Sequence, residues 1–133
     1  MIQTIKRGWH RSFPILFPVV AFWKTTQLKF TLTESMWYSP YTCTGWNKLG
    51  GFTSIRVHGN SDRLAWRPTD RGRFRIASYK YINGKVIIGE ETIVSAGESV
   101  HINNFNRYWF HANFYFGGKD KSPKDMKLII NKL

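Results

Sequence analysis

Residues 51–94, GFTSIRVHGNSDRLAWRPTDRGRFRIASYKYINGKVIIGEETIV, read as short β-strands separated by chain reversals. The reversals are Gly59-Asn60-Ser61-Asp62, Pro68-Thr69-Asp70-Arg71-Gly72 and Asn83-Gly84. Glycine reaches positive φ without steric cost, proline presets φ, and Asn or Asp tolerates the left-handed region, so each cluster supplies a mechanism for turning the chain. Asn83-Gly84 is the sharpest signal. With Tyr79, Tyr81 and Ile82 before it and Val86, Ile87 and Ile88 after it, it matches the two-residue loop whose twist suits an antiparallel hairpin. No catalytic signature interrupts the stretch.

Working outward, residues 27–32 alternate and place Leu28, Phe30 and Leu32 on one face of a strand. Further strands are expected at residues 92–95, at 100–102, over 107–116 and at 127–131. In the 107–116 stretch alternation puts Tyr108, Phe110, Ala112, Phe114 and Phe116 on the core side, with Trp109, His111, Asn113 and Tyr115 facing away. Residues 34–50 hold Trp37, Tyr38, Tyr41 and Trp46 among turn formers and read as a long aromatic loop, which either covers the core or forms a binding rim. Gly50-Gly51 and Gly117-Gly118 lack the strand-then-helix setting of a phosphate loop and read as turns.

Residues 1–26 form a basic then apolar segment. Lys6, Arg7 and Arg11 precede an apolar run from Phe13 to Trp23, but Pro14 and Pro18 interrupt the run, and it is too short to span a bilayer as a helix. A buried extended segment, with proline at an edge or bulge, is the expectation. No stretch keeps helical periodicity for three turns. The whole chain of 133 residues therefore reads as one domain, an all-β, two-sheet antiparallel β-sandwich of jelly-roll type, with its terminal strands in the same region.

The chain carries 20 Lys plus Arg against 8 Asp plus Glu, a formal charge of +12, which draws anionic partners: a nucleotide, a nucleic acid, an acidic glycan or an anionic membrane surface. The single cysteine, Cys43, excludes an intrachain disulfide and fits a reducing compartment. Among the four histidines, His10, His58, His101 and His111, no pair has metal-ligand spacing, and no metal or cofactor is expected. Glu90 and Glu91 are adjacent in a strand and point to opposite faces, so they make no glycosidase pair.

Strand parity from Gly51 places Arg56 and His58 on one face, with Ile55 and Val57 on the other. Arg63 and Arg67 join that basic face if Leu64 and Trp66 pack inward, and Arg73 and Arg75 extend it. Phe74 and Ile76 point opposite to Tyr79 and Tyr81 while both sets are apolar, so a bulge between them is one expectation. The resulting candidate site comprises Arg56, His58, Asn60, Arg63, Trp66 and Arg67, with Trp46 and Lys48 from the rim. Guanidinium groups fork onto phosphate oxygens and aromatic faces stack bases, which suits a nucleotide or a single strand. The competing reading is a solvated polar face with Trp66 in the core.

Trp46-Asn47-Lys48-Leu49-Gly50, Asn60-Ser61 with Arg63 and Trp66-Arg67, Tyr79 and Tyr81 before Asn83-Gly84, and Tyr115-Phe116-Gly117-Gly118 with Pro123 and Asp125 make a pattern over about residues 44–130. It resembles short proteins of phages and their Bacteroidota hosts, some with a His pair where this chain has Val57-His58. The resemblance implies a small, phage-encoded intracellular β-sandwich, in the cytoplasm of the bacterial host, and carries no activity. Three functions remain open at this point. They are non-enzymatic binding of a nucleotide-like anion, such as sequestration of a nucleotide immune signal; nucleic-acid binding; and a metal-independent phosphodiesterase using His58 with His101 or His111. The sequence leaves the oligomeric state open.

Overall fold

The computed structural model describes residues 1–14, 27–43, 45–117 and 120–132. Among the described residues ten strands run in chain order: β1 (Ile2–Ile5), β2 (Gln27–Thr31), β3 (Asn47–Thr53), β4 (Ser61–Pro68), β5 (Arg73–Ile82), β6 (Lys85–Ile88), β7 (Thr92–Ser95), β8 (Ser99–Asn103), β9 (Phe110–Ala112) and β10 (Met126–Lys132). A single 3-10 turn, Glu34–Met36, is the helical element among the described residues. One sheet has the order β1-β10-β2-β8, and the other β6-β5-β4-β3-β9, with β7 pairing β5 alongside β6. All pairings are antiparallel, and the sheets pack on each other as an all-β sandwich. The last strand lies between the first two, and the chain crosses from sheet to sheet between β2 and β3 and from β7 through β10. The terminal strands pair directly, Ile2 opposite Ile129.

The core follows from period two. Leu28 and Phe30 of β2, Leu128 and Ile130 of β10, Phe52, Trp66 and Phe74 from the second sheet, and Phe114 and Phe116 are buried in one cluster. Each fully buried side chain of this size is worth about 1.5–3 kcal/mol in transfer free energy. Trp66 sits edge-on to Phe74 and Tyr38, with ring centroids 5.7 and 6.0 Å away. The hairpin at Asn83-Gly84 forms as its residues require, both with positive φ (51° and 79°) and Ile82 opposite Lys85.

Four sequence expectations change. Residues 51–58 are not one strand: β3 ends at Thr53, and Ser54–Asn60 make a loop. The Ser54 hydroxyl donates to the Asn60 carbonyl at 2.9 Å, and the Ser54 N–H donates to the same oxygen at 3.0 Å, closing the loop before the ladder resumes at Thr53 opposite Ser61. Ile55 is consequently 86% exposed rather than buried. The aromatic stretch 34–50 ends early, because β3 already begins at Asn47. Of that stretch Met36 and Tyr38 plug the core while Tyr41 lies in solvent, so it mainly covers the sandwich.

Gly50 and Gly51 lie inside β3 next to a register shift, rather than in a turn. Finally, the strand expected over 107–116 holds only as β9. The break at Asn113-Phe114 exchanges faces, so His111 lies opposite Phe52 and is buried, while Phe114 and Phe116 still reach the core. The extended segment expected at residues 15–26 lies outside the described residues.

Gly51 has φ +151°, and a Cβ there would collide with the Asp62 carbonyl oxygen and come within 2.8 Å of Arg63 Cα. Gly51→Ala should therefore lower stability by about 2 kcal/mol or more. Gly45→Ala, whose Cβ meets nothing within 4 Å, is the control in parallel urea unfolding.

Candidate functional site

β4 pairs with β5 without a register break, from Ser61 opposite Tyr81 to Pro68 opposite Phe74. Residues opposite one another share a face, so Trp66 and Ile76 point into the core while Arg63 with Tyr79, and Arg67 with Arg75, point outward. No bulge separates Phe74 from Tyr79, and the tyrosines belong to the basic outer face. Lys48 joins them from β3, opposite Ala65.

On this face lies a cavity of about 340 Å³. Lys48, Arg63, Tyr79 and Tyr81 form its floor, Tyr115 and Gly117 one side, and His10, Arg11, Val57 and His58 the rest of its wall. Among the described residues no carboxylate lines it, although Asp120 packs against Gly117 at its edge. Arg63 is 4% exposed, its guanidinium carbon lies 5.4 and 5.6 Å from the ring centres of Tyr79 and Tyr81, and its Nε has no hydrogen-bond partner. The Lys48 ammonium lies 4.1 Å from the Tyr79 centroid and donates to the Trp46 carbonyl at 3.0 Å. Among the described residues the ion pairs are Arg73–Asp70 and Arg75–Glu91, so neither Lys48 nor Arg63 has an acidic partner.

Burial and the neighbouring Arg63 charge push the Lys48 pKa down to about 8. Burial likewise lowers that of Arg63, while the Tyr81, Tyr79 and Tyr115 hydroxyls favour its charge. A buried guanidinium, Arg63, and a half-buried ammonium, Lys48, lie side by side with π-faces in place of counterions, which concentrates positive potential in the cavity.

Local hydrogen bonds build the walls. Asn47 is buried at the start of β3, where its Oδ1 accepts the Gly117 N–H at 2.6 Å and its Nδ2 donates to the Tyr38 hydroxyl at 2.8 Å, fixing Gly117 beside Lys48. Tyr115 bridges both Arg11 and Lys48 through its backbone, and the Nδ1 of His10 lies 2.6 Å from the Phe116 carbonyl. A carbonyl only accepts, so Nδ1 is the donor in that contact. The loop carrying His58 is tied to the hairpin turn, where the Gly84 N–H donates to the Gly59 carbonyl at 2.8 Å.

Of the sequence-predicted residues, the structure brings Lys48, His58 and Arg63 together in the cavity. Arg56 and Asn60 lie on the adjoining loop and line a neighbouring groove with His58. Arg67 and Trp46 stack on each other at 5.2 Å on the same face, outside the cavity lining. Trp66 is a correction: parity sends it inward, and it is fully buried in the core. Tyr79, Tyr81, Tyr115, His10 and Arg11 were missed. Tyr115 had a signal, its outward position in the alternation, whereas His10 and Arg11 reach the site through long-range pairing.

The histidine pairs considered for catalysis are not assembled. His101 is on β8 of the other sheet, and His111 packs its ring 5.5 Å from Phe52, with burial and the Lys132 charge pushing its pKa down to about 4. Among the described residues no cluster of three or more His, Cys, Asp or Glu is placed to hold a metal ion, and no helix is long and apolar enough to cross a membrane. No family model, curated protein or solved structure matches the chain.

Replacing Arg63 by an apolar side chain removes a buried charge without an acidic partner, and replacing Lys48 removes a half-buried one, so Arg63→Met and Lys48→Met should each raise the melting temperature of the ligand-free protein. For Lys48 the sign is fixed by linkage. Its pKa falls from 10.5 to about 8 on folding, so between those values the unfolded chain binds more protons. Its destabilising contribution is complete below pH ~8 and fades as pH rises toward ~10.5. The gain from Lys48→Met should shrink over that window in melts taken from pH 7 to pH 10, and a lower melting temperature for both variants at pH 7 would contradict this account.

Proposed function

We propose that the protein is a non-enzymatic binder of an anionic, nucleotide-like ligand, which it holds in the cavity around Lys48 and Arg63 and releases unchanged. The observation that carries this reading is buried Arg63 beside half-buried Lys48, neither ion-paired with a carboxylate among the described residues. A buried charge left unpaired is costly, and an anion with several acceptor oxygens would compensate both cations at once through charge-assisted hydrogen bonds. Three tyrosines around them supply hydroxyl donors and flat faces for the same ligand.

A polymer ligand is favoured less. Along the outer face Arg73 and Arg75 are neutralised by Asp70 and Glu91, which shortens the basic track that a nucleic-acid backbone would follow. In a phage-encoded protein, capture without turnover would remove a nucleotide immune signal in the host cytoplasm.

The test incubates the protein with cyclic nucleotides and oligonucleotides, then denatures it and identifies what is released. Intact mono- or dinucleotide is the expected outcome. Cleaved product would instead point to acid–base chemistry by His10 and His58, which both line the cavity. Binding confined to long polymers, with steep salt dependence, would identify a nucleic-acid binder. Arg63→Ala should weaken binding by about 1.5–3 kcal/mol, and Arg67→Ala far less, because Arg67 lies outside the cavity.

A further inference from the structure

A second cavity of about 280 Å³ adjoins the first, and the two share Arg11, Val57 and Tyr115. Its chemistry differs. Ile55, Phe110 and Ala112 make an apolar wall between the Ser54–Asn60 loop and the edge strand β9, His111 and Asn113 add polar edges, and among the described residues no carboxylate or lysine lines it. Arg11, on the shared side, is its one full charge. The hydroxyls of Thr53 and Ser54 are occupied, since both donate to the Asn60 carbonyl, at 3.3 and 2.9 Å. Ser12 is not: it is 5% exposed, and its Oγ has no hydrogen-bond partner. Buried hydroxyls are nearly always satisfied, so this one is poised for a group that arrives from outside.

A largely apolar slot holding the free Ser12 hydroxyl and the unpartnered ring nitrogens of His111, joined through a tyrosine to a cavity containing two cations without acidic partners, is complementary to a molecule with two unlike ends. One end is anionic and rich in acceptors. The other is uncharged and largely apolar, with hydrogen-bonding edges. Pockets of this size class hold one small molecule rather than a chain. Resting on the anion-binding reading above, we propose that the second cavity is a nucleobase subsite, so that the ligand is a nucleotide of mono- or dinucleotide size, its phosphates at Lys48 and Arg63 and one base against Ser12, Phe110 and Tyr115.

The experiment titrates the full chain calorimetrically with inorganic pyrophosphate and with the adenosine, guanosine, cytidine and uridine diphosphates. At least one nucleoside diphosphate should bind about tenfold or more tightly than pyrophosphate, as expected when a base is desolvated in a fitted slot. Ala112→Phe fills the slot and should abolish that preference while pyrophosphate still binds. Ser12→Ala, which removes a lone hydroxyl and is safe for the fold, should cut the preference about three- to tenfold and keeps the test alive if the larger substitution does not fold. Nucleoside diphosphates no tighter than pyrophosphate in the unaltered protein would overturn the subsite and leave the anion site standing. Binding of neither would overturn both, and an equal loss of pyrophosphate and nucleotide affinity in Ser12→Ala would also overturn the subsite.

Discussion

The pairing of β4 with β5 is the constraint on which the rest depends. The side-chain period of a strand is two, so this one register decides at once that Trp66, Phe74 and Ile76 are buried and that Arg63, Tyr79 and Tyr81 face outward. A slip by one residue would put Arg63 into the aromatic core and Trp66 into water. The hydrophobic gain of the inner face therefore holds the outer face in place. Two cations that would repel each other stay adjacent because the core, not their own interactions, fixes their positions.

Burial of Arg63 on an outward face needs explanation, since outward residues of a sandwich usually meet solvent. Three features enclose it. Gly51 stands opposite it on β3 and leaves its backbone room. The rings of Tyr79 and Tyr81 lie along its guanidinium, and the segments carrying His10 and Tyr115 raise a wall around the cavity. The cation–π contacts, worth about 0.5–2 kcal/mol each, offset part of the desolvation cost and leave Nε without a hydrogen-bond partner.

The strands and turns were largely legible in the sequence because they depend on local chemistry: Asn83-Gly84 can take positive φ, and 27–32 alternates. Even the choice of Arg63 and Lys48 as candidates needed only residue type. What could not be read was set by partners distant in the chain. Ser54 closes a loop with Asn60, where the apolar residues Ile55 and Val57 suggested a continued strand. Tyr79 and Tyr81 were ambiguous because aromatic side chains suit either face, and only the pairing with Arg63 and Ser61 settles which. Trp66 satisfied two opposed readings, stacking platform and core residue, until the contacts with Tyr38 and Phe74 decided between them.

The same separation between core and outer face bears on how tightly a ligand could be held. A flexible basic loop would have to be ordered on binding, and that entropy would be subtracted from the affinity. Here Lys48 and Arg63 stand on paired strands, Gly117 is held by Asn47, and the His58 loop is tied to the Asn83-Gly84 turn. The unfavourable desolvation of the cations is met during folding, at the expense of stability, so an anion entering as proposed would gain the pairing without repeating that cost. Such preorganisation serves ground-state binding as well as it serves catalysis. The difference lies in whether a proton donor and acceptor flank the bond to be broken, and the cavity's two histidines, His10 and His58, are the groups on which that distinction turns.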